Sequence, residues 1–444
     1  MMLRKVVIIG GSISGLLCAR VLSNYCDEIT IVEKDKICSK SVIRKGVPQA
    51  NHIHLLLVKG KEILLEFFPD LEKELLKKGA NKIDFLNDGR YLLPSGWAQK
   101  FESGVITFTC TRNLLEETIR EQLVKFPKIK IQDDMVIDSF ELESSSKISL
   151  RTVNGQKITA DLIVDCSGRN TKTPIWLEEI GFSKPGVTSV DSFVGYATRK
   201  FIPPKNFDKN WKMLVILNNP VSNPRAGIIY PIENEKWLVG LSGIGKNYPP
   251  IDEEGFLNFA KSLENSELYD SIKTATPDSD IFGFQIQGSR KYHYEDMQKW
   301  PDNLIVVGDA VSVFNPFYGQ GITSASLAAK LIDNMLKNSK FNSDFAKKFQ
   351  KKLSQVISLP WVLGTSEDLR WPTTIGKRPN WITRFIQSHA QKVLLLGPNS
   401  SLATKSFLQM MHMIKSPLII FHPLILLQLA TKIKKESKID SNLV

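Results

Sequence analysis

The feature that most constrains the fold lies at the start of the chain, in residues 5–33. Residues 5–9 form a short β-branched run that stops at Gly10, which is typical of a strand buried on both faces of a parallel sheet. A turn containing glycine leads into a predicted helix over residues 16–24, and a second predicted strand follows over 28–32. This order predicts one βαβ unit that opens at residue 5.

The turn between the first strand and the helix has the spacing of a dinucleotide-binding loop. In such a loop the first glycine makes the tight turn, the second lets the backbone approach a pyrophosphate, and the third lets helix and strand pack closely. Gly10, Ser12 and Gly15 occupy these three positions, and Ser12 is small enough to permit the approach. Ile13 and Ser14 belong to the same loop, and the helix that follows offers free N–H groups and a positive dipole end, which favour phosphate.

An acidic residue stands where such a fold holds a ribose. Glu33 ends the second strand 18 residues after Gly15, and Lys34 follows it. A carboxylate there accepts hydrogen bonds from an adenosine ribose and disfavours a 2′-phosphate. The alternatives are a glycine turn without a ligand and a secretory signal peptide, whose cleavage would destroy the βαβ unit.

The rest of the chain divides into segments of different predicted secondary structure. A helix is predicted over residues 55–78, another begins after its cap Thr111, and strands with a hairpin at 154–155 fill residues 129–164. The pattern predicts an α/β protein in which short antiparallel strands are inserted into the first domain. The predicted boundaries are 1–80, 111–184 and 296–335 for the nucleotide-binding domain, 81–110 and 185–295 for the inserted sheet, and 336–444 for a helical C-terminal region.

A second glycine loop lies about three hundred residues downstream of the first. Gly308 and Asp309 follow a continuous apolar run, and the sequence Pro-Phe-Tyr-Gly-Gln-Gly then occupies residues 316–321. A carboxylate at a strand end can accept hydrogen bonds from hydroxyl groups. Glycines in the loop let backbone N–H groups reach carbonyl oxygens of a ligand, where they stabilise negative charge.

Together these loops resemble motifs of the FAD-dependent monooxygenase superfamily, which includes para-hydroxybenzoate hydroxylase and squalene epoxidase. The resemblance implies a Rossmann-like FAD-binding domain of the glutathione-reductase type with an inserted substrate sheet. It also implies that Asp309 binds the flavin ribitol. The residues that it places at the pyrimidine edge of the flavin are Pro316, Gly319, Gln320, Gly321 and Ile322.

Two further pieces of sequence match the superfamily. Residues 47–54 resemble a V-P-Q-x-x-H-x-H stretch of bacterial polyether-type flavin epoxidases, so Gln49 and His54 are candidates for contact with the flavin. Arg112 matches an arginine that faces the cofactor. Alternatives stay open here, namely a hydrogen-bonded loop histidine and a surface ion pair for Arg112.

A third motif matches the superfamily's pattern less closely. Residues 165–169 read Asp-Cys-Ser-Gly-Arg, with Ser167 where aromatic hydroxylases carry an Asp that serves both FAD and NAD(P)H. The resemblance therefore implies NAD(P)H as the electron donor, either directly or through a separate flavin reductase. A local ion pair between Asp165 and Arg169 is the alternative reading.

The resemblance implies monooxygenation of a small apolar substrate. Reduced FAD would react with O2 to give a C4a-hydroperoxide, which would epoxidise or hydroxylate the substrate; no catalytic acid or base is identified. Eight apolar residues of the inserted sheet are candidates for its pocket: Phe193, Tyr196, Phe201, Ile228, Tyr230, Trp237, Phe282 and Phe284. Other readings are a geranylgeranyl-reductase-like enzyme, a flavin-binding redox sensor, and a flavin halogenase, whose W-x-W-x-I-P motif is absent from the sequence.

Composition limits the partners and the compartment. The chain has 58 Lys and Arg against 46 Asp and Glu, but no nucleic-acid motif accompanies this surplus, so no nucleic acid is expected. The five cysteines are odd in number and lack zinc spacing, so we expect no metal, and reduced thiols in a cytoplasmic protein. The apolar run 418–430 is shorter than the ~20 residues of a membrane span. Residues 416–435 either pack on the protein's own body or contact an anionic membrane surface.

Overall fold

The computed structural model describes residues 3–37, 44, 46–220 and 222–441, with side chains described as far as Lys432. The strands are β1 Leu3–Ile9, β2 Cys26–Val32, β3 Asn81–Asp84, β4 Gly89–Leu93, β5 Gly96–Trp97, β6 Ile106–Thr109, β7 Ile129–Gln132, β8 Ile137–Leu142, β9 Ile148–Thr152, β10 Lys157–Ile158, β11 Leu162–Asp165, β12 Gly186–Val190, β13 Gly195–Ile202, β14 Met213–Ile216, β15 Arg225–Ile232, β16 Lys236–Gly243, β17 Thr276–Pro277, β18 Phe282–Gln285, β19 Ser289–His293, β20 Leu304–Val306 and β21 Ser312–Val313. The helices are α1 Ile13–Leu22, α2 Val58–Phe67, α3 Leu71–Lys77, α4 Arg112–Leu123, α5 Thr173–Glu179, α6 Glu253–Lys261, α7 Glu267–Ile272, α8 Gln320–Asn338, α9 Phe345–Val356, α10 Ser358–Asp368, α11 Trp381–Leu395, α12 Ser401–Met411 and α13 Pro423–Ser441.

A five-stranded sheet of order β20-β11-β1-β2-β7 forms the centre of the first domain, and all of its pairings are parallel. β1 lies in the middle, and Val6, Val7 and Ile8 have no exposed surface, as expected of a strand that is covered on both faces. The predicted βαβ unit is therefore confirmed. Helix α1 begins at Ile13, three residues before the predicted start.

The parallel pairing brings four loops to one edge of this sheet. Ile9 pairs with Val32 of β2 and with Asp165 of β11, and Asp165 pairs with Val306 of β20. The residues that follow these strands therefore meet at their common carboxyl ends, where open α/β sheets bind ligands.

The inserted sheet has the order β17-β13-β16-β15-β14-β4-β5, with β18 paired to β13. Every pairing is antiparallel except that of β4 with β14, so the sheet is mostly antiparallel as predicted. Strands β4 and β5 come from residues 81–110, and the others come from 185–295. The α/β fold with an inserted sheet and a helical C-terminal region is confirmed.

The predicted single helix over residues 55–78 is wrong. The chain forms α2 and α3 instead, with a break between Phe67 and Leu71. Pro69 explains the break, because proline disfavours helical geometry in the preceding residue and cannot donate a helical hydrogen bond. Phe68 accordingly has φ −132° and ψ 78°.

The C-terminal helices form a small core of their own. Val393 of α11, Ala403 of α12 and Ile420 are fully buried against one another and against Ile425 of α13. Part of the apolar bulk of residues 418–430 therefore packs on the protein itself. In the part of the chain that the structure describes, no helix combines the length and the hydropathy that crossing a bilayer requires.

Four cysteines, Cys18, Cys26, Cys110 and Cys166, are buried and unbridged. Cys38 lies outside the described residues. The expected reduced thiols are thus found at the four described positions.

Candidate functional site

A cavity of about 970 Å³ runs from the loop after β1 to the C-terminal helices. It collects fifteen of the sixteen residues that the sequence predicts for the cofactor site: Gly10, Ser12, Ile13, Ser14, Glu33, Lys34, Gln49, His54, Arg112, Asp309, Pro316, Gly319, Gln320, Gly321 and Ile322. Gly15 lies beneath the loop, where a Cβ atom would stand only 1.9 Å from the carbonyl oxygen of Gly10. Gly15 therefore serves the close packing of helix on loop rather than the cavity wall.

The loop after β1 needs glycine at its first position. Gly10 has φ +102°, and a Cβ atom there would lie 2.5 Å from the carbonyl oxygen of Cys166, at the end of the neighbouring strand. Ser12 then occupies the N-cap position of α1 in extended conformation, without a capping hydrogen bond from its side chain, and the first residues of the helix line the cavity. This arrangement suits a bound pyrophosphate.

Glu33 is fixed at the wall of the cavity, directly after β2. Its carboxylate accepts hydrogen bonds from the backbone N–H of Gly11 (2.8 Å) and of Asp35 (2.9 Å). The Nη1 atom of Arg44 lies 2.8 Å from the same carboxylate. The side chain is therefore held where a ribose diol of a dinucleotide would meet it, with acceptor capacity remaining.

A buried charge cluster beneath the loop was not predicted from the sequence. The carboxylate of Glu116 accepts hydrogen bonds from the Ser12 hydroxyl (2.7 Å) and from Arg120 (2.7 Å), and it pairs with Arg112 (3.2 Å) and with Arg44. Burial opposes ionisation of Glu116, but the charges of Arg112 and Arg44 hold its pKa below the usual value. The sequence carries a signal that could have found this cluster, since residues 112, 116 and 120 recur at helical spacing of four.

Arg112 is therefore not a surface ion pair. It is buried, its Nη2 atom donates to the Ser12 hydroxyl (2.7 Å), and its Nε atom is buried without a hydrogen-bond partner. Glu116 and Glu33 form ion pairs with three arginines, Arg44, Arg112 and Arg120. Three positive charges against two negative ones leave a net positive charge beside the loop. That surplus favours an anionic ligand.

Asp309 provides the carboxylate at the other glycine loop. Burial raises its pKa, and the guanidinium groups of Arg169, Arg112 and Arg290 oppose that rise.

The alternative of a local Asp165–Arg169 ion pair is wrong. Asp165 accepts hydrogen bonds from the hydroxyls of Thr171 (2.6 Å) and Thr173 (2.7 Å), and from a backbone N–H.

The loop over residues 316–322 forms the wall next to Asp309. Gly319 has φ +66° and precedes α8, so the N-terminal N–H groups of α8 lie at the cavity. The side chain of Gln320 is fully buried, and neither its amide nitrogen nor its amide oxygen has a hydrogen-bond partner. Because buried polar groups are almost always paired, this amide is suited to a ligand that offers both a donor and an acceptor.

Both histidines of residues 47–54 line the cavity and are hydrogen-bonded. His54 donates from Nδ1 to the carbonyl oxygen of His52 (2.9 Å), and the Nδ1 atom of His52 lies 2.9 Å from the Thr198 hydroxyl. Burial lowers the pKa of His52 to about 4 and that of His54 to about 3. Both rings are therefore neutral near pH 7, as hydrogen-bonded loop histidines. Gln49 lies at the same wall.

The far end of the cavity is an apolar chamber with two walls. The inserted sheet contributes one wall, which includes Tyr91, Leu93, Met213, Val215, Ile228 and Phe284. The C-terminal helices contribute the other, which includes Leu363, Ile386, Leu394, Phe407, Met410 and Met411.

The sequence predicted the first wall only in part. Tyr196, Ile228 and Phe284 line the cavity, whereas Phe201, Tyr230 and Trp237 are buried. Phe193 and Phe282 also lie outside the lining set. The second wall was missed, because the C-terminal helices carry no motif that marks them as part of a site.

Known proteins resemble this chain in sequence and in structure. No family model matches the chain. Protein Rv3254 of Mycobacterium tuberculosis is 27% identical over 337 residues, which cover 73% of this chain and 71% of that protein. Kynurenine 3-monooxygenase of Drosophila willistoni is 24% identical over 361 residues (75% and 72%), and the FAD-dependent monooxygenase asqG of Emericella nidulans is 27% identical over 179 residues (38% and 30%).

Solved structures share the fold over nearly the whole chain. A flavoprotein/dehydrogenase from Cytophaga hutchinsonii has a TM-score of 0.65 at 16% identity, covering 98% of this chain and 100% of that chain. PqsL of Pseudomonas aeruginosa, in complex with 2-aminobenzoylacetate, has a TM-score of 0.60 at 16% identity, covering 83% and 97%. In sequence and in fold the chain is thus similar to FAD-dependent monooxygenases. It is accordingly an oxidoreductase.

The residues that line the cavity fit a flavin dinucleotide. One end of the cavity offers a carboxylate for a ribose and a positive surplus for a pyrophosphate, at Glu33 and Arg112. The other end offers Asp309 and the unpaired amide of Gln320. A Cβ atom at Gly321 would meet nothing within 4 Å, so a flat ring has room beside this loop.

Proposed function

We propose that this protein is an FAD-dependent monooxygenase that transfers one oxygen atom of O2 to a small apolar organic substrate, by epoxidation or hydroxylation. One observation carries the proposal. A single cavity joins the two glycine loops to a chamber whose walls are mainly Leu, Ile, Val, Met and aromatic side chains. The cofactor residues and an apolar binding space are thus continuous.

In this proposal each end of the cofactor has its own residues. Glu33 would accept hydrogen bonds from the adenosine ribose, residues 10–15 and the arginine cluster would hold the pyrophosphate, and Asp309 would bind the ribitol. The N-terminal N–H groups of α8 and the amide of Gln320 would face the pyrimidine edge of the flavin. When bound, FAD supplies the redox and oxygen chemistry, and the protein supplies binding, orientation and electrostatics.

The chain's own part in the reaction is to shield the reacting centre from water and to position the substrate. The chamber is lined mainly by apolar side chains, which excludes water from the reacting centre. The neutral rings of His52 and His54 add no charge to that wall. Asp309 and the three arginines whose charges act on it, Arg169, Arg112 and Arg290, supply the charged groups at the cofactor end of the cavity.

NAD(P)H is the proposed source of electrons, used directly or through a separate flavin reductase. The superfamily's Asp at this motif is replaced by Ser167, and Arg169 lies instead beside the aromatic ring of Phe284, 5.5 Å from its centre. Anaerobic mixing of the FAD-loaded protein with NADPH distinguishes the two routes. Bleaching of the visible flavin absorbance within the turnover time indicates direct reduction, and bleaching only after addition of a flavin reductase indicates the indirect route.

The reaction is tested with ¹⁸O2. Enzyme whose flavin has been reduced chemically is mixed with ¹⁸O2 and a panel of apolar alkenes and aromatics, and the products are analysed by mass spectrometry. We expect one ¹⁸O atom per product. A product that gains hydrogen without label would support a geranylgeranyl-reductase-like enzyme, and a product that gains a halide when bromide is present would support a halogenase.

A matched pair of variants shows whether the site carries the activity. Asp309→Asn should lose bound FAD and with it the labelled product. Asp296→Asn, at a largely exposed carboxylate, should keep both. Equal FAD content in Asp309→Asn and wild type would overturn the assignment of the ribitol site.

Two finer points of the proposal have specific support. The V-P-Q-x-x-H-x-H stretch lies at the cavity wall, which favours epoxidation of an alkene, as in polyether-type flavin epoxidases. The exposed apolar side chains of residues 416–435 favour contact with a membrane surface.

A further inference from the structure

The charge of this chain is concentrated in one stretch. Residues 369–435 contain ten Lys and Arg but no Asp or Glu, whereas the whole chain has a surplus of twelve positive charges. The net charge of this stretch, +10, therefore accounts for most of the surplus of the whole chain. The remainder of the molecule is almost neutral.

The same region exposes large apolar side chains. Trp381 and Phe385 on α11 are 72% and 60% exposed, and Leu418 is 72% exposed. The ring of Phe385 lies 6.1 Å from that of Phe421, so α11 and the segment Pro417–Phe421 pack side by side. We call this surface the C-terminal apolar surface, and it comprises Trp381, Ile382, Phe385, Leu418, Leu424 and Leu427.

Basic side chains accompany the C-terminal apolar surface. Arg384 is exposed on α11, between Trp381 and Phe385 in sequence, and Lys415 is exposed just before Leu418. Packing within the protein explains only the buried positions, such as Ile420 and Ile425, and not the exposed aromatic and leucine side chains. Apolar bulk flanked by Lys and Arg is the composition of segments that lie in anionic bilayer surfaces.

Elements that carry the C-terminal apolar surface also line the cavity. Helix α11 presents Ile386 and Gln387 to the cavity, on a different side from Trp381 and Phe385. Val362 of α10 lines the cavity and is itself exposed, and Pro417, next to Leu418, also lines it. Helix α11 and the segment Pro417–Phe421 therefore contribute both to the lining of the cavity and to the C-terminal apolar surface.

We infer that the C-terminal apolar surface docks on an anionic lipid bilayer and opens the cavity toward the lipid, so that an apolar substrate enters from the membrane. The docking rests on the exposed side chains and the charge asymmetry alone. The route of the substrate rests in addition on the proposed function. Duplex nucleic acid would bind to the basic side chains and would not bury the exposed aromatic side chains. A lipid bilayer and duplex nucleic acid therefore have different effects on the emission of Trp381.

Trp381 offers an intrinsic reporter of docking, because the other seven tryptophans are buried or half-buried. FAD-loaded protein is mixed with vesicles of phosphatidylcholine containing phosphatidylglycerol, and its flotation and tryptophan emission are recorded. We expect flotation with the anionic vesicles and a blue shift of the emission. Trp381→Phe should remove the blue shift while largely keeping flotation.

Variants separate the apolar from the electrostatic contribution. Phe385→Ser with Leu418→Ser, and separately Arg384→Glu with Lys415→Glu, should each weaken vesicle binding by about tenfold or more. The matched controls are Val124→Ser with Val153→Ser, at exposed valines elsewhere, and Lys82→Glu with Lys125→Glu. Both controls should bind vesicles like the wild type.

Three results would overturn the inference: no flotation, equal weakening by the control variants, or binding to duplex DNA with the same charge dependence and no change in Trp381 emission. The FAD content of every variant is measured alongside. Flotation by a protein that holds no FAD would keep the docking surface and reject the proposed function. FAD binding without flotation would reject only the docking.

Discussion

At the scale of single residues, the carboxylate of Glu33 carries the sharpest prediction for the nucleotide end of the cavity. Its hydrogen bonds to Gly11 and Asp35 and its pairing with Arg44 fix it in place. Replacing Glu33 by Gln should raise the Kd for FAD by about ten- to a hundredfold, because hydrogen bonds to charged groups contribute about 1.5–3 kcal/mol. Titration of the apoprotein with FAD, followed by quenching of flavin fluorescence, measures the change.

The control for Glu33 lies on β2, the strand that Glu33 follows. Glu28 pairs with Lys130 at the surface, so Glu28→Gln should leave the Kd for FAD unchanged within twofold. Binding of FMN, which lacks the adenosine ribose, should respond little to Glu33→Gln. Equal losses of FMN and FAD affinity would place Glu33 outside the ribose site.

Gln320 gives a prediction in which stability and affinity move in opposite directions. Its two unpaired amide atoms cost the free protein about 1–3 kcal/mol each at most, so Gln320→Leu should leave the apoprotein equally or more stable. The same change should raise the Kd for FAD by about tenfold, since it removes a donor and an acceptor from the ligand. Urea unfolding of the apoprotein and FAD titration measure the two effects. If the variant lost both stability of the apoprotein and affinity for FAD, Gln320 would have only a packing role in the fold.

At the scale of elements, the start of helix α2 is capped by a distant residue. Leu57, at its N-cap position, has no capping side chain. The backbone N–H of Val58 donates to Nδ1 of His412 (3.1 Å), and the N–H of Lys59 donates to the carbonyl oxygen of the same residue (3.3 Å). The ring of His412 also meets that of Phe85 edge-on at 4.3 Å. The end of α12 is thereby joined to the first domain.

This cap predicts a loss of stability in acid. Burial lowers the pKa of His412 to about 3, below the ~6.5 of an unfolded chain, so the fold favours the neutral ring. The contribution is complete above about pH 6.5 and is lost as the pH falls toward 3, amounting to about 2–3 kcal/mol near pH 4.5. Comparing the free energies of unfolding of wild type and His412→Asn near pH 4.5 and pH 7.5 checks it. The variant should show a smaller fall, and equal falls would contradict the prediction.

At the scale of the whole molecule, the cofactor residues come from three distant stretches of chain. Residues 10–15 with Glu33, then Arg112, and finally residues 309–322 surround one cavity. A ligand that touches all three should stabilise the native state as a unit. At one hundred times its Kd, FAD should raise the free energy of unfolding by about 2.7 kcal/mol.

Calorimetry with ADP as a partial ligand tests this coupling. ADP reaches only the nucleotide end, so at the same concentration it should raise the Tm less than FAD does. Asp309→Asn should reduce the effect of FAD toward that of ADP. Identical shifts with FAD and ADP would mean that residues 309–322 do not contact the ligand.

The sequence by itself determined the local parts of this protein. The strands predicted at 5–9 and 28–32, the turn at Gly10, and the loop after Asp309 could be recognised because short-range requirements produce them. A tight turn with positive φ and a helix N-terminus are each encoded within a few neighbouring residues. The break at Pro69 could also have been read locally, since proline acts on the residue before it.

Only the tertiary structure decided which of these parts meet. Parallel pairing of β1 with β2 and β11, and of β11 with β20, places Gly10, Glu33 and Asp309 at one edge, although they are far apart along the chain. Arg44 joins Glu33 to Glu116 by contacts between separate segments. The second wall of the chamber comes from helices whose apolar pattern fits an ordinary core equally well. Packing selects which apolar faces enclose a cavity, and it acts between residues with no fixed spacing in the chain.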